Sequence, residues 1–162
     1  MMRASRALAA FTVALALSGC GSALFFPSKQ VPLTPRELGL IYYDVDFASS
    51  DGTKLHGWFL HARPVGPESP PTVVFLHGNA GNVANHLGGA AWLPGHGFQV
   101  FLFDYRGFGL SEGNPDVENV HRDAVAAIRT VAARDDVDDD RIVAIGQSIG
   151  GAIALTAVAS VD

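Results

Sequence analysis

The stretch from Arg141 to Leu155, Arg-Ile-Val-Ala-Ile-Gly-Gln-Ser-Ile-Gly-Gly-Ala-Ile-Ala-Leu, constrains the fold more than any other part of the chain. Ile142 to Ile145 is a short apolar run of the kind expected of a buried strand. It runs into Gly146-Gln147-Ser148-Ile149-Gly150, then into an Ala-rich segment that predicts a helix. Between a strand and a helix, Gly-x-Ser-x-Gly fits a sharp, strained turn that lifts the serine hydroxyl into a cleft, a nucleophile elbow. Such a turn needs small residues two before and two after the serine, so that neighbouring side chains do not collide with it. Gly146 and Gly150 fill both places. Amides at the start of the following helix point at the site, and the helix dipole favours negative charge there. The plainer reading is a Gly/Ser turn in which Ser148 is an ordinary N-cap.

Upstream, the same alternation of short apolar runs and turn signals continues. Tyr42 to Phe47 and Lys54 to Leu60, joined by Ser49-Ser50-Asp51-Gly52, predict a hairpin. Arg63 to Pro71 is a Pro-rich loop, and Thr72 to Leu76 and Gln99 to Phe103 are further buried strands. A helix is predicted over Val83 to Leu93, weakened by Gly88 and Gly89. A second opens with Asn114 at the N-cap and Pro115 at the first helical position. It carries an apolar stripe of Val117, Val120, Ala124, Ile128 and Val131. A hairpin followed by alternating strands and helices predicts an α/β fold, a mostly parallel sheet with helices on both faces. With 48% hydrophobic and 17% charged residues, 162 residues suffice for one domain with a real core. The net charge of −5 gives no nucleic-acid surface.

Three other constellations invite a chemical reading. His77-Gly78-Asn79 lies at the carboxyl end of a central strand, where open α/β sheets bind ligands. Acyl transfer needs two amide donors for a tetrahedral oxyanion. The expected pair is Ile149, directly after the serine, and Asn79 from this loop. His77 is read as supporting the loop rather than as the base, because the base usually arrives after the serine in this arrangement. Asp104-Tyr-Arg-Gly-Phe-Gly-Leu-Ser-Glu-Gly113 mimics the start of a dinucleotide fingerprint, but Glu112 stands where the third glycine belongs, so no such cofactor is expected. Asp104 and Arg106 are expected to hold that loop together, and Ser111 is a second serine without an elbow around it. Asp136, Asp138 and Asp140 occupy the first, third and fifth places of a calcium loop. The sixth is Arg141 and the twelfth Gln147, so the run reads as a solvated loop. His56, His61, His86, His96 and His121 share no metal spacing.

The amino terminus has its own pattern. Arg3 and Arg6 precede an apolar stretch, Ala7 to Leu17, that is short for a bilayer span and ends in Leu17-Ser18-Gly19-Cys20. Cys20 is the only cysteine, which rules out an internal disulfide framework. The pattern resembles the bacterial lipoprotein signal, which implies that residues 1–19 are removed and Cys20 is lipidated. The basic residues then fall from 11 to 9 against 16 acidic ones, a net charge of −7. Gly21, where an aspartate would favour inner-membrane retention, points to the outer membrane if the cell is Gram-negative. Residues 20–40, with Pro27, Pro32 and Pro35, read as a tether, and 41–162 as the domain.

Taken together, His77-Gly-Asn-Ala-Gly-Asn82, Asp104-Tyr-Arg-Gly-Phe-Gly-Leu-Ser111 and Gly146-Gln-Ser-Ile-Gly-Gly151 resemble the Bem46-like branch of the α/β-hydrolases, close to S33-type serine hydrolases. The resemblance implies a Ser-His-Asp enzyme cleaving esters, thioesters or amides of a small-molecule or acyl substrate, without cofactor or metal. Ser148 matches the nucleophile and Asn79 and Ile149 the oxyanion-hole positions. In that fold the acid and the histidine follow the serine. The fourteen residues after Ser148 hold one acid, Asp162, and no histidine. The expectation is therefore the amino-terminal half of the fold, truncated after the elbow and inactive alone. The rival expectations are a binding-only envelope lipoprotein, an acyltransferase, and a half-enzyme completed by another polypeptide.

Overall fold

The strands follow from where the β-branched and aromatic residues cluster, and their alternation assigns each side chain to a face. In the computed structural model, which describes residues 22–63, 66 and 69–161, five strands form the main sheet. They are β2 (Tyr42–Ala48), β3 (Lys54–Leu60), β4 (Thr72–Leu76), β6 (Gln99–Asp104) and β7 (Ile142–Gly146). A separate two-residue ladder pairs β1 (Phe26–Pro27) in parallel with β5 (Ala80–Gly81). The main sheet runs in the order β2–β3–β6–β4–β7. The β2–β3 and β3–β6 pairs are antiparallel, whereas β6–β4 and β4–β7 are parallel. Only β3 therefore runs against the other strands, as the hairpin and the strand–helix alternation predict.

Three helices cover the sheet: α1 (Val83–His86), α2 (Val117–Ala132) and α3 (Ile149–Val158). Period-two alternation splits the core. Val74, Leu76, Phe101 and Phe103 turn towards α2 and α3, where Val120, Ala124, Ile128 and Ile153 meet them. Val73, Phe75, Val100 and Leu102 turn the other way, onto Val83, Leu87 and Leu93. Every side chain of β4 and β6 is buried, which is why these runs carry no alternating polar residues.

Two helix expectations are corrected. The segment Val83 to Leu93 is not one helix. It is the single turn α1 followed by 3-10 turns at Leu87–Gly89 and Leu93–His96. Gly88, Gly89 and Pro94 prevent a continuous α-helical ladder. Helix α2 begins at Val117, and its N-cap is Asp116, whose carboxylate accepts the Asn119 amide at 2.9 Å. Asn114 and Pro115 lie before it. Val117, expected in the buried stripe, is exposed at the first position of α2. Residues 22 to 40, read as a tether, lie against the domain in the described part. Phe25 is buried, and β1 is hydrogen-bonded to β5. Cys20 and the expected signal sequence lie outside the described residues.

Candidate active site

The elbow is a strained backbone held by close packing. Ser148 has φ 55° and ψ −124°, and it is the only non-glycine among the described residues with positive φ. A residue held there costs on the order of 1–3 kcal/mol, so its surroundings must over-determine it. They do so through two glycines. A Cβ on Gly150 would lie 2.2 Å from the Leu76 carbonyl oxygen and 2.6 Å from that of His77. A Cβ on Gly146 would lie 2.3 Å from the Gly150 carbonyl carbon. The first turn of α3 is thereby pressed against the end of β4, and the Gln147 amide donates to Leu76 O at 2.9 Å. Ser148 is exposed and its side chain makes no helix cap, so the plainer N-cap reading fails.

The loop after β4 brings the second group to the same place. Gly78 lies against the elbow: a Cβ there would meet the Ser148 Cβ at 3.8 Å and the His86 ring at 3.3 Å. Asn79 follows Gly78 in this loop and Ile149 is the first residue of α3, so the two expected oxyanion residues come from different elements, each next in sequence to a residue of this contact. The Asn79 side chain faces away, donating to the Leu24 carbonyl at 3.0 Å.

His77 supports this loop from beneath. It is fully buried, 4.5 Å from the Tyr105 ring, 5.0 Å from Phe108 and stacked on His86 at 5.3 Å. Its Nδ1–H donates to the Gly78 carbonyl at 2.7 Å, which leaves Nε2 as the acceptor. Nε2 lies 3.5 Å from Asp104 Oδ1, and that oxygen also accepts the Val83 amide at 2.9 Å. The contact has the spacing of an ion pair, but burial opposes both charges. It pushes the Asp104 carboxyl up to about 7, against smaller opposing effects from the Val83 amide and Lys29. It pushes the His77 imidazole down to about 3. Between about pH 3 and pH 7 the pair is a carboxylic acid beside a neutral imidazole. Among the described residues the buried Nε2 and Asp104 Oδ2 have no hydrogen-bond partner. Gly109 is required here, since a Cβ would stand 1.9 Å from Asp104 Oδ2.

Arg106 fastens the second loop. Its guanidinium donates to Asp123, on α2, at 2.7 Å and to Asp51, in the β2–β3 turn, at 2.8 Å. Its amide also donates to Asp123 at 2.8 Å. Hydrogen bonding to Asp123 and Asp51 raises the Arg106 pKa further, and the Asp51 carboxyl is held well below the usual carboxylate range. Ser111 is buried, donating to Asp104 O at 2.7 Å and accepting the His56 amide at 3.0 Å, so it is a loop fastener and not a rival nucleophile. Asp138, Asp139 and Asp140 do place their carboxylates within 4.8 Å of one another, at the solvent-facing turn before β7 and away from the elbow.

Sequence reasoning missed two parts of the site. One is the segment Ser22–Gln30, which crosses the Asn79 loop. The adjacent Phe25 and Phe26, an apolar pair inside an expected tether, were the available signal. The other is His86, whose Nδ1 lies 2.8 Å from Gln147 Oε1 and whose Nε2 lies 2.8 Å from Ala80 O. It joins the elbow to the Asn79 loop, and no spacing rule connects residues sixty-one apart.

Known proteins share this arrangement. The family model described as the alpha/beta hydrolase fold matches residues 71–161. The uncharacterized protein YfhR of Salmonella typhi is 42% identical over 139 residues, covering 85% of this chain and 46% of its own. The alpha/beta hydrolase domain-containing protein WAV2 of Arabidopsis thaliana is 42% identical over 127 residues, 78% of this chain and 41% of its own. Among solved structures, the esterase Pf2001 of Pyrococcus furiosus superposes with a TM-score of 0.72 at 28% identity, covering 86% of this chain and 52% of that one. The chain spans about half the length of the curated relatives it matches. From the sheet order, the strained serine between β7 and α3, and these matches, the chain belongs to the alpha/beta hydrolase family.

Proposed function

We propose that the protein is a serine hydrolase of the cell envelope, acting on ester, thioester or amide bonds, with Ser148 as nucleophile. The observation that carries the reading is the positive φ of Ser148. A plain helix cap has no use for that strain, whereas an exposed nucleophile does. In the proposed reaction Ser148 Oγ bonds to the acyl carbon as its proton passes to a general base. The carbonyl oxygen becomes an oxyanion held by the amides of Asn79 and Ile149. The bond to the leaving group then breaks, the leaving group takes the proton, and water releases the acyl group from Ser148. The positive end of α3 favours the oxyanion. Neither nearby histidine is assigned as the base. His77 is buried with its Nδ1–H committed to Gly78, and both nitrogens of His86 are engaged. The base, the substrate and the anchoring of Cys20 by lipid belong to the proposal for the whole protein.

The test is covalent labelling. A fluorophosphonate probe should label the whole protein, with its base in place, once per chain, and Ser148→Ala should remove the label. Labelling that persists in Ser148→Ala overturns the assignment.

A further inference from the structure

Residues Ser22 to Gln30 form a strap over the loop that carries Asn79. The Phe26 amide donates to Asn79 O at 2.7 Å and the Ser28 amide to Gly81 O at 2.8 Å. Asn79 and Asn82 return side-chain bonds to Leu24 O and Ser28 O, both at 3.0 Å. The strap also grips the next loop, since the Gly109 amide donates to Ser28 O at 2.9 Å and Lys29 Nζ to Ser111 O at 2.5 Å. Phe25 turns inward, with its ring 6.3 Å from that of Phe108. Its neighbours turn outward: Leu24 is 49% and Phe26 63% exposed. Two more large apolar side chains are exposed next to the parts the strap touches. Leu110 follows Gly109, and Val117 lines a cavity of about 390 Å³ with Phe25 and Ile149. Leu24, Phe26 and Leu110 thus stand exposed on a strap and a loop that are hydrogen-bonded to one another, with Val117 at the neighbouring cavity.

Covalent geometry ties this face to the expected lipid. Leu24 is four residues from Cys20, so at about 3.5 Å per residue their backbones stand no more than about 14 Å apart. An acyl chain on Cys20 that enters a bilayer leaves the strap no room to sit far from the surface. We propose that the strap docks this face on the lipid bilayer, with Leu24 and Phe26 inserted at the boundary between headgroups and acyl chains. This rests on the lipid-anchor reading above but not on catalysis by Ser148. The strap that supports the Asn79 loop is then also the membrane contact, and the site opens at the bilayer instead of in bulk water. Amphipathic interfacial elements bury such residues about 5–10 Å into the headgroup boundary.

Cys20 is the only cysteine, so once it is acylated a single introduced cysteine takes a spin label uniquely. The lipidated protein with Ser148→Ala is placed in phosphatidylethanolamine–phosphatidylglycerol vesicles. It carries a nitroxide at Phe26→Cys or, at the opposite end of the strands, at the exposed Asp140→Cys. Mass spectrometry reads the acylation of Cys20, and collision with oxygen against a water-soluble nickel chelate reads depth. The expected result is a label at position 26 about 5–10 Å below the phosphates and a label at position 140 in water. Equal nickel access at both positions, with Cys20 acylated, overturns the docking and leaves the anchor standing. An unmodified Cys20 overturns the anchor reading and the docking with it. Because Ser148 is absent from both proteins, neither result bears on the hydrolase assignment.

Discussion

Removing one member of the buried His77–Asp104 pair should give the protein a pH dependence of stability that the intact pair conceals. In the folded state burial keeps the proton on Asp104 up to about pH 7 and off His77 down to about pH 3. The unfolded chain does the reverse, with the carboxyl ionised above about 3.8 and the imidazole protonated below about 6.5. Between about pH 4 and 6.5 each state therefore holds one proton on the pair, and the two linkage slopes cancel. In Asp104→Asn only His77 remains. Its folded pKa is depressed, so its contribution is whole above 6.5 and is lost as pH falls towards 3, at about 1.4 kcal/mol per pH unit. In His77→Gln only Asp104 remains. Its folded pKa is raised, so its contribution is whole below 3.8 and is lost as pH rises towards 7, with the opposite slope. From pH 4.5 to 6.5 Asp104→Asn should gain roughly 2 kcal/mol and His77→Gln should lose a similar amount, while the double variant stays level with the parent. The other charged or titratable groups around the pair, Lys29, His86 and Tyr105, are common to all four proteins, as is the distant Asp51. They drop out of the differences. Urea denaturation at 0.5-unit pH steps measures this, with m-values checked for constancy. If both single variants follow the parent profile, the burial argument is wrong and the pair is solvated or charged in the folded state.

Asp123→Ala leaves the buried Arg106 guanidinium without its main partner and should cost about 3–5 kcal/mol in urea denaturation. The double change Arg106→Met with Asp123→Leu, which removes both charges, should recover most of it; a double variant as unstable as the single one refutes the charge argument. Gly150→Ala drives a Cβ into the Leu76 carbonyl and should displace the elbow, costing about 3 kcal/mol and abolishing fluorophosphonate labelling, whereas Gly151→Ala, with no atom nearer than 3.6 Å, should keep both stability and labelling. Cys20→Ala should accumulate as an unprocessed precursor of higher mass; processing equal to the parent refutes lipidation.

How much the sequence decided by itself depends on how local the physics is. The strand–turn–helix around Ser148 was legible because every requirement falls within ten residues, an apolar run, two glycines at fixed offsets and an Ala-rich helix, but the burial expected of Ile142–Ile145 was wrong, since β7 is the last strand of the sheet and Val143 and Ile145 are exposed. The hairpin and the strands β4 and β6 were legible for the same reason, since apolar period and turn residues are read in short windows. Helix starts were less secure. Asn114-Pro115 has the chemistry of a start, but Asp116 two residues on offers the same cap, and packing of Pro115 against Gly107 favours the later one. What only the tertiary structure decided are the pairings between distant segments. Proline spacing makes Ser22–Gln30 look like a tether. It is a strap because its Phe26 and Ser28 amides donate to the carbonyls of Asn79 and Gly81 in the loop after β4, a segment some fifty residues away. His77 looks like any histidine beside a glycine until the fold places Asp104 against its Nε2 and excludes water from both. A carboxylate's ordinary charge is a property of the residue. Its proton at mildly acidic pH is a property of the burial that the assembled sheet, helix and loop impose.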